Sequence, residues 1–254
     1  MCEEVSQISL RVMPIAGRVA LCVVLCCSAI AAACSGRVLK PQYEYEEELY
    51  LDLDGSATLN LNASVASLVA LRGVDLPTDA RARLDRERVR ALFANPDSKV
   101  ALSLSRRDGR RFVHVSIQVH DVRRLAQIPP FSWSTYAFNR DRDRVDYHQV
   151  VGPSAGRAVS DAGWDGTEVI AFKMHLPSEI LVENSGTGVR RGNIVEWEQP
   201  LASRARGEPL ELRVQMAPES ILYTTLLLFG STIVAAAAAF AGVLWWVARR
   251  GRQT

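Results

Sequence analysis

Hydrophobic and polar residues follow three rhythms along this chain. Val19 to Ala33 is an unbroken apolar run of 15 residues, and Ile221 to Ala248 runs for 28 residues without a charge. Between them the pattern mostly alternates with a period of two. Crossing a bilayer takes about 20 apolar residues. The first run falls short of that, whereas the second, at ~1.5 Å per residue, makes a helix of roughly 42 Å. The spacing predicts a single transmembrane helix over 221–248, since a buried core helix is rarely so long and apolar all round. Trp245 and Trp246 precede Arg249, Arg250 and Arg252, and Tyr223 stands near the other end. An aromatic belt beside a basic flank places 249–254 as a cytoplasmic basic tail and everything upstream outside.

The alternating stretches predict strands. Tyr43, Tyr45, Leu49, Leu51 and Leu53 share one face, broken by Glu47; Glu44, Glu46, Glu48, Asp52 and Asp54 share the other, which is expected to be solvated. Asp54-Gly55 then separates this run from Ala57, Leu59 and Leu61, a strong hairpin signal. A second hairpin pairs Val100, Leu102 and Leu104 with Val113, Val115, Ile117 and Val119 across Asp108-Gly109. Further strands are expected around Tyr136–Phe138, Val145–Val151, Ile170–Leu176, Asn193–Trp197 and Leu210–Met216. Helical spacing predicts a short helix at Ser64–Arg72 ended by Gly73, and a second at Asp79–Ala94 capped by Thr78. Turns of helix are expected at Asp121–Gln127 and Pro177–Asn184. About eight strands with two or three helices make an α+β domain over 42–216: a mainly antiparallel sheet with helices on one face. Its local signals agree with one another, so Val38 to Met216 is expected to fold alone.

The first apolar run has the length of a signal-peptide core, and Arg11 and Arg18 precede it. Residues 1–33 are expected to be a signal peptide, and initiation at Met13 would give a more compact one. All five cysteines lie in the first 34 residues, at Cys2, Cys22, Cys26, Cys27 and Cys34. Ala31-Ala32-Ala33-Cys34 resembles a bacterial lipobox, which would make Cys34 the lipidated (palmitate-bearing) first residue of a short linker over 34–41. Ala31-x-Ala33 also fits an ordinary signal-peptidase cut. Under either cut the domain beyond residue 34 has no thiol for a disulfide, a thiolate-held zinc or cysteine catalysis.

Composition narrows the chemistry further. Formal net charge is +2, so no nucleic-acid partner is expected. Three lysines stand against 27 arginines. Arg106, Arg107, Arg110 and Arg111 flank the second hairpin turn and are the expected membrane-binding contact to anionic headgroups. The helix charges Asp79/Arg83, Arg81/Asp85 and Arg83/Glu87 read as solvated i, i+4 pairs. Of the four histidines, His114 and His120 lie on one strand face about 20 Å apart, too far to share an ion. His148 and His175 fall in no recognisable constellation. There is no Gly-x-Ser-x-Gly and no His-Glu-x-x-His, and Ser185-Gly-Thr-Gly188 lacks P-loop spacing. No catalytic residue, metal or cofactor is therefore expected.

Gly192-Asn193-Ile194-Val195-Glu196-Trp197, late in the domain, is similar to a strand motif of the LppM-type lipoproteins of bacteria. The layout resembles theirs as well: a lipidated N-terminus, a small α+β ectodomain and a C-terminal membrane helix. That resemblance implies an envelope protein handling lipid or lipoglycan, and no catalytic residues. The expected protein is a single-pass lipoprotein of the cytoplasmic (inner) membrane with an extracytoplasmic, non-enzymatic binding domain. Its expected partners are membrane lipid and an envelope protein. The alternatives are an accessory subunit of a membrane complex, using the small residues Gly230, Ser231, Ala241 and Gly242 for helix packing, and an envelope hydrolase. Sidedness is directly testable. With Gln253 changed to Cys, a membrane-impermeant thiol reagent is expected to label the chain, above the parent chain, only after cells are opened. Extra labelling of intact cells would reverse the orientation.

Overall fold

The computed structural model describes residues 43–250 except 80, 160, 161 and 191. The expected signal peptide, Cys34 and the linker at 34–41 lie outside the described residues. So does most of the tail at 249–254. In chain order come β1 (Tyr45–Leu51), β2 (Ala57–Ser64), α1 (Val65–Arg72), α2 (Arg86–Phe93), β3 (Ser98–Arg107) and β4 (Arg110–Val119). Two 3-10 turns (Val122–Gln127 and Pro129–Phe131) lead to β5 (Ser134–Arg140), β6 (Val145–Val151), β7 (Val169–His175) and β8 (Ser178–Glu183). The chain continues with β9 (Ile194–Pro200), α3 (Leu201–Ala205), β10 (Leu210–Ser220) and α4 (Ile221–Arg250).

The α+β class follows the expectation, and the strands divide between two sheets. Six form the order β3-β4-β2-β1-β7-β9; the other four form β5-β6-β10-β8. Every neighbouring pair is antiparallel except β1 with β7. A parallel pair cannot be closed by a tight turn, and here everything from β2 to β6 intervenes. Both Asp-Gly turns form where expected. At the first, Gly55 holds φ +86° against the Phe138 ring, so a side chain there would be strained and crowded. At the second, Asp108 and Gly109 both have positive φ, as a two-residue hairpin turn of matching twist requires.

Two helical expectations are corrected. The second helix starts at Arg86, not Asp79, because the Asp85 carboxylate accepts from the amides of Glu87 and Arg88 and so caps it there. Pro77 and Ala82 are held out of a helix by Arg111, whose guanidinium donates to their carbonyls. The Asp79/Arg83 and Arg81/Asp85 spacings therefore share no helix. The stretch expected as a helical turn at 177–184 is strand β8, which completes its hydrogen bonding along β10 with a bulge. The first helix is as read: the Ser64 hydroxyl caps it, and Gly73 ends it at φ +66°.

The inner faces of the two sheets meet in one core. Glu47, Leu49, Leu59 and Phe172 from the first sheet and Tyr136, Gln149 and Leu212 from the second enclose a void of about 10 Å³. Glu47, the break in the apolar face of β1, is 3% exposed and pairs with Arg72 at the end of α1, Nη2 to Oε1 3.0 Å. Arg72 Nε also donates to the Tyr45 hydroxyl at 3.1 Å, and that hydroxyl donates to Glu47. The guanidinium stacks on the Trp133 and Tyr45 rings. Burial pulls the Arg72 pKa down and pushes the Tyr45 phenol up. One buried cation thus ties α1, β1 and the loop before β5.

α4 continues β10 without a linker. The Ile221 amide donates to the Pro177 carbonyl at 3.0 Å and Ser178 pairs with Ser220, so the start of β8 braces the junction. Its stretch Ile221–Trp246 is long and apolar enough to cross a membrane and has no residue buried against the domain. Arg249 and Arg250 sit over the Trp245 and Trp246 rings.

Replacing Arg72 by Met strands the Glu47 charge in the core and is expected to cost about 3–5 kcal/mol. Removing all three polar partners together (Tyr45→Phe, Glu47→Leu, Arg72→Met) is expected to restore most of that loss. Urea unfolding of the full chain in mild detergent measures both; equal losses in the single and triple variants would refute the assignment.

Candidate functional site

The outward face of the six-stranded sheet is polar in every strand. Alternation places Ser103, Ser105 and Arg107 of β3 on this face, with His114 and Ser116 of β4 and Asn60 and Asn62 of β2. The ladders then bring Glu46 and Glu48 of β1, Lys173 and His175 of β7, and Glu196 of β9 onto it. One hydrogen-bonded relay crosses all six strands. Ser105 Oγ lies 2.7 Å from His114 Nε2, and His114 Nδ1 lies 2.8 Å from Asn62 Oδ1. Asn62 Nδ2 donates to Glu46 at 3.2 Å, Glu46 accepts from Lys173, and Lys173 reaches Glu196 at 3.3 Å. Glu196, 1% exposed, also pairs with Arg190 and accepts from the Tyr43 hydroxyl at 2.8 Å.

The solvated carboxylate face expected for β1 is thus corrected. Glu44 is 2% exposed, paired with Arg110 at 2.6 Å and accepting from the Trp164 indole at 3.0 Å. Glu48 meets His175 at 2.7 Å, and the His175 ring stacks on Tyr50 at 4.1 Å. For Glu46 and Glu48 the cause is the parallel neighbour β7, which sets Lys173 and His175 beside them, whereas Glu44 is covered by Arg110 of β4 and by Trp164. Burial works against the Lys173 ammonium, but Glu46 and Glu196 outweigh it and hold its pKa above the ordinary lysine value. Burial, with hydrogen bonds to Glu198 and Glu196, raises the Tyr43 phenol. His114 moves the other way: burial and then the nearby Arg107 charge lower its pKa.

At one end the polar face opens into a cleft of about 440 Å³, with Asp52, Thr58, Asp97, Lys99, Gln118 and His120 among its walls. This is the end nearest the apolar helix α4. Arg140 donates both to the Leu53 carbonyl at 3.0 Å, in the β1–β2 turn, and to the Pro218 carbonyl at 3.3 Å, just before α4.

The four arginines expected to touch headgroups lie at the opposite end. From Lys99 to Arg107 the strand runs for about 26 Å at ~3.3 Å per residue. Arg111 is buried and holds the Pro77 and Ala82 carbonyls, and Arg110 is half-buried against Glu44. Arg107 covers the Phe112 ring at 4.3 Å, and Arg106 is likewise engaged within the domain. Arg106 and Arg107 are exposed, whereas Arg110 and Arg111 are tied into the domain. Of the other histidines, His120 lines the cleft and His148 pairs with Glu211 at 2.6 Å on the second sheet. Among the described residues no group of three or more His, Cys, Asp or Glu is placed to hold a metal ion.

Ser105, His114 and Asn62 were not singled out as a group by sequence. The Asp-Gly turn implies the β3–β4 register, which sets His114 opposite Ser103 and diagonal to Ser105. Nothing local announces that β2 pairs with β4 and brings Asn62 alongside.

No family model and no curated protein matches the chain. Among solved structures, the folded domain of LppM from Mycobacterium tuberculosis, determined by NMR, is similar over 69% of this chain and 90% of that one. The two are 14% identical, with a TM-score of 0.39. At that distance neither site residues nor a ligand transfer.

Lys173→Met leaves Glu46 without its cation and Glu196 with Arg190 alone, an expected loss of about 3 kcal/mol. Adding Glu196→Gln is expected to recover part of it. Urea unfolding in detergent reports both, and a neutral single variant would remove Lys173 from the relay.

Proposed function

We propose that this protein is a single-pass envelope protein of the cytoplasmic membrane whose outward domain is a binding module. In this reading the module takes a hydroxylated ligand, a glycan or the sugar portion of a glycolipid, on the polar sheet face and in the adjoining cleft. The observation that carries the proposal is the uncovered row Thr58, Gln118 and Lys99, continuous with Asn60 and Ser116 and open at the membrane end. Amides, hydroxyls and mixed charges in fixed register suit a ligand with many hydroxyls better than an apolar chain, which would leave these groups unpaired. The cleft also lies in the 300–1,000 Å³ range that ligand sites occupy. Acylation of Cys34 would add a second anchor at the other end of the chain. The linker-free passage of β10 into α4 supports the reading further, because it holds the cleft near the bilayer surface. Lipid remains a partner through that anchor and through any glycolipid headgroup.

The test uses the full chain in detergent micelles with a panel of soluble oligosaccharides, read by saturation-transfer NMR. Asn60→Leu with Gln118→Leu is expected to weaken the best binder at least about tenfold, the equivalent of ~1.4 kcal/mol. Both residues are on the surface, so the thermal midpoint should hardly move. A bare glycan's binding should also change little with salt. Binding that follows anionic vesicles and falls steeply with salt would replace this reading with a charged-headgroup one. No signal from any hydroxylated probe would overturn it.

A further inference from the structure

We propose that Ser105, His114 and Asn62 form a nucleophile, its general base and the amide that orients the base, and that this face hydrolyses O-acyl esters of a polar alcohol. The choice of a polar alcohol rests on the hydroxylated-ligand reading above; the catalytic group itself does not.

The distances of 2.7 Å and 2.8 Å lie within the reach a nucleophile needs from its base, and a base from its orienter. The direction of the relay is fixed from its far end. Both Glu46 oxygens accept, one from the Lys173 ammonium and the other from Asn62. Asn62 must therefore turn its NH₂ toward Glu46, which leaves its Oδ1 to accept from His114. That bond places the imidazole proton on Nδ1 and the lone pair of Nε2 on the Ser105 hydroxyl. Burial and Arg107 favour the neutral imidazole, the form a base requires at neutral pH. Ser105 is exposed on an open face, so a bulky ester can reach it. Arg107, two residues on along the same face with its guanidinium over the Phe112 ring, supplies a cation for the oxyanion.

The steps balance without a redox partner. Ser105 Oγ bonds to the acyl carbon as its proton passes to His114 Nε2, and the carbonyl electrons move onto the oxygen beside Arg107. The tetrahedral adduct collapses, the ester C–O bond breaks, and the departing alcohol takes the proton from Nε2. Water then attacks the acyl-serine, giving its proton to Nε2. The second collapse returns that proton to Ser105 and releases the acid. Ester and water become acid and alcohol. Ser105 and His114 are catalytic residues in this scheme, and Asn62 is a positioning residue.

The full chain in detergent micelles is treated with a fluorophosphonate probe and, separately, with 4-nitrophenyl acetate. The probe is expected on the peptide carrying Ser105, and hydrolysis at about a hundredfold or more above the Ser105→Ala and His114→Ala variants. Ser103→Ala, on the same strand face, should keep both signals. Asn62→Leu should lose most of the rate. Asn62→Asp should keep it but move the acid limb of the pH profile to higher pH, because a carboxylate raises the imidazole pKa; a merely structural role would not shift that limb. Absence of the probe from Ser105 in protein with a normal thermal transition, or equal hydrolysis by the wild type and Ser105→Ala, overturns the proposal. Oligosaccharide binding by Ser105→Ala is measured alongside. Binding retained with no ester chemistry in the wild type sinks only the hydrolase, and ester chemistry without binding sinks only the glycan reading.

Discussion

The fold depends on one charge being neutralised where no water reaches. Glu47 sits in the middle of β1 on the core face, and Arg72 reaches it from the end of α1. Neither group can be buried alone, since an isolated ion inside a protein costs several kcal/mol. Bringing them together fixes how α1 lies on the sheet. The arginine then becomes a platform for Trp133, and through the loop that carries Trp133 it sets where the second sheet begins. Hydrophobic residues at both positions would still collapse into a core. They would not select this packing of helix, sheet and loop over a slid alternative.

What the sequence discloses follows the range of the interaction. The two hairpins are local, and Asp-Gly with flanking alternation specifies both their turns and their registers. The helix at Val65–Arg72 carries its own cap and stop. The long apolar helix is legible from length and composition, without any partner. By contrast, Glu47 is visible in the sequence only as an interruption, because the residue that explains it belongs to another element. The carboxylate face of β1 reads as solvated until β7 arrives beside it in parallel. No periodicity within β1 could say so. The start of α2 is hidden from local spacing for a related reason: Arg111, far along the chain, consumes the carbonyls that an earlier helical turn would have used.

The same logic applies to the relay on the outer face. Each strand contributes one or two ordinary polar residues, and each reads as a solvent-facing position of an amphipathic strand. Chemistry appears only when six strands are set in register and the side chains align across them. Asn62 orients His114 because Glu46 is held by Lys173, two strands further on. The hydrogen-bond chain that begins at one imidazole thus runs on to a lysine two strands away from Asn62.

The passage of β10 into α4 makes the domain and its anchor a single shaft. β8 is hydrogen-bonded across the joint between Ser220 and Ile221. On the membrane reading proposed above, azimuth in the bilayer becomes azimuth outside it. One residue inserted at the joint would turn the cleft by about 100° around the shaft and raise it by ~1.5 Å. On that reading, whatever α4 faces along its length sets the compass bearing of the polar sheet.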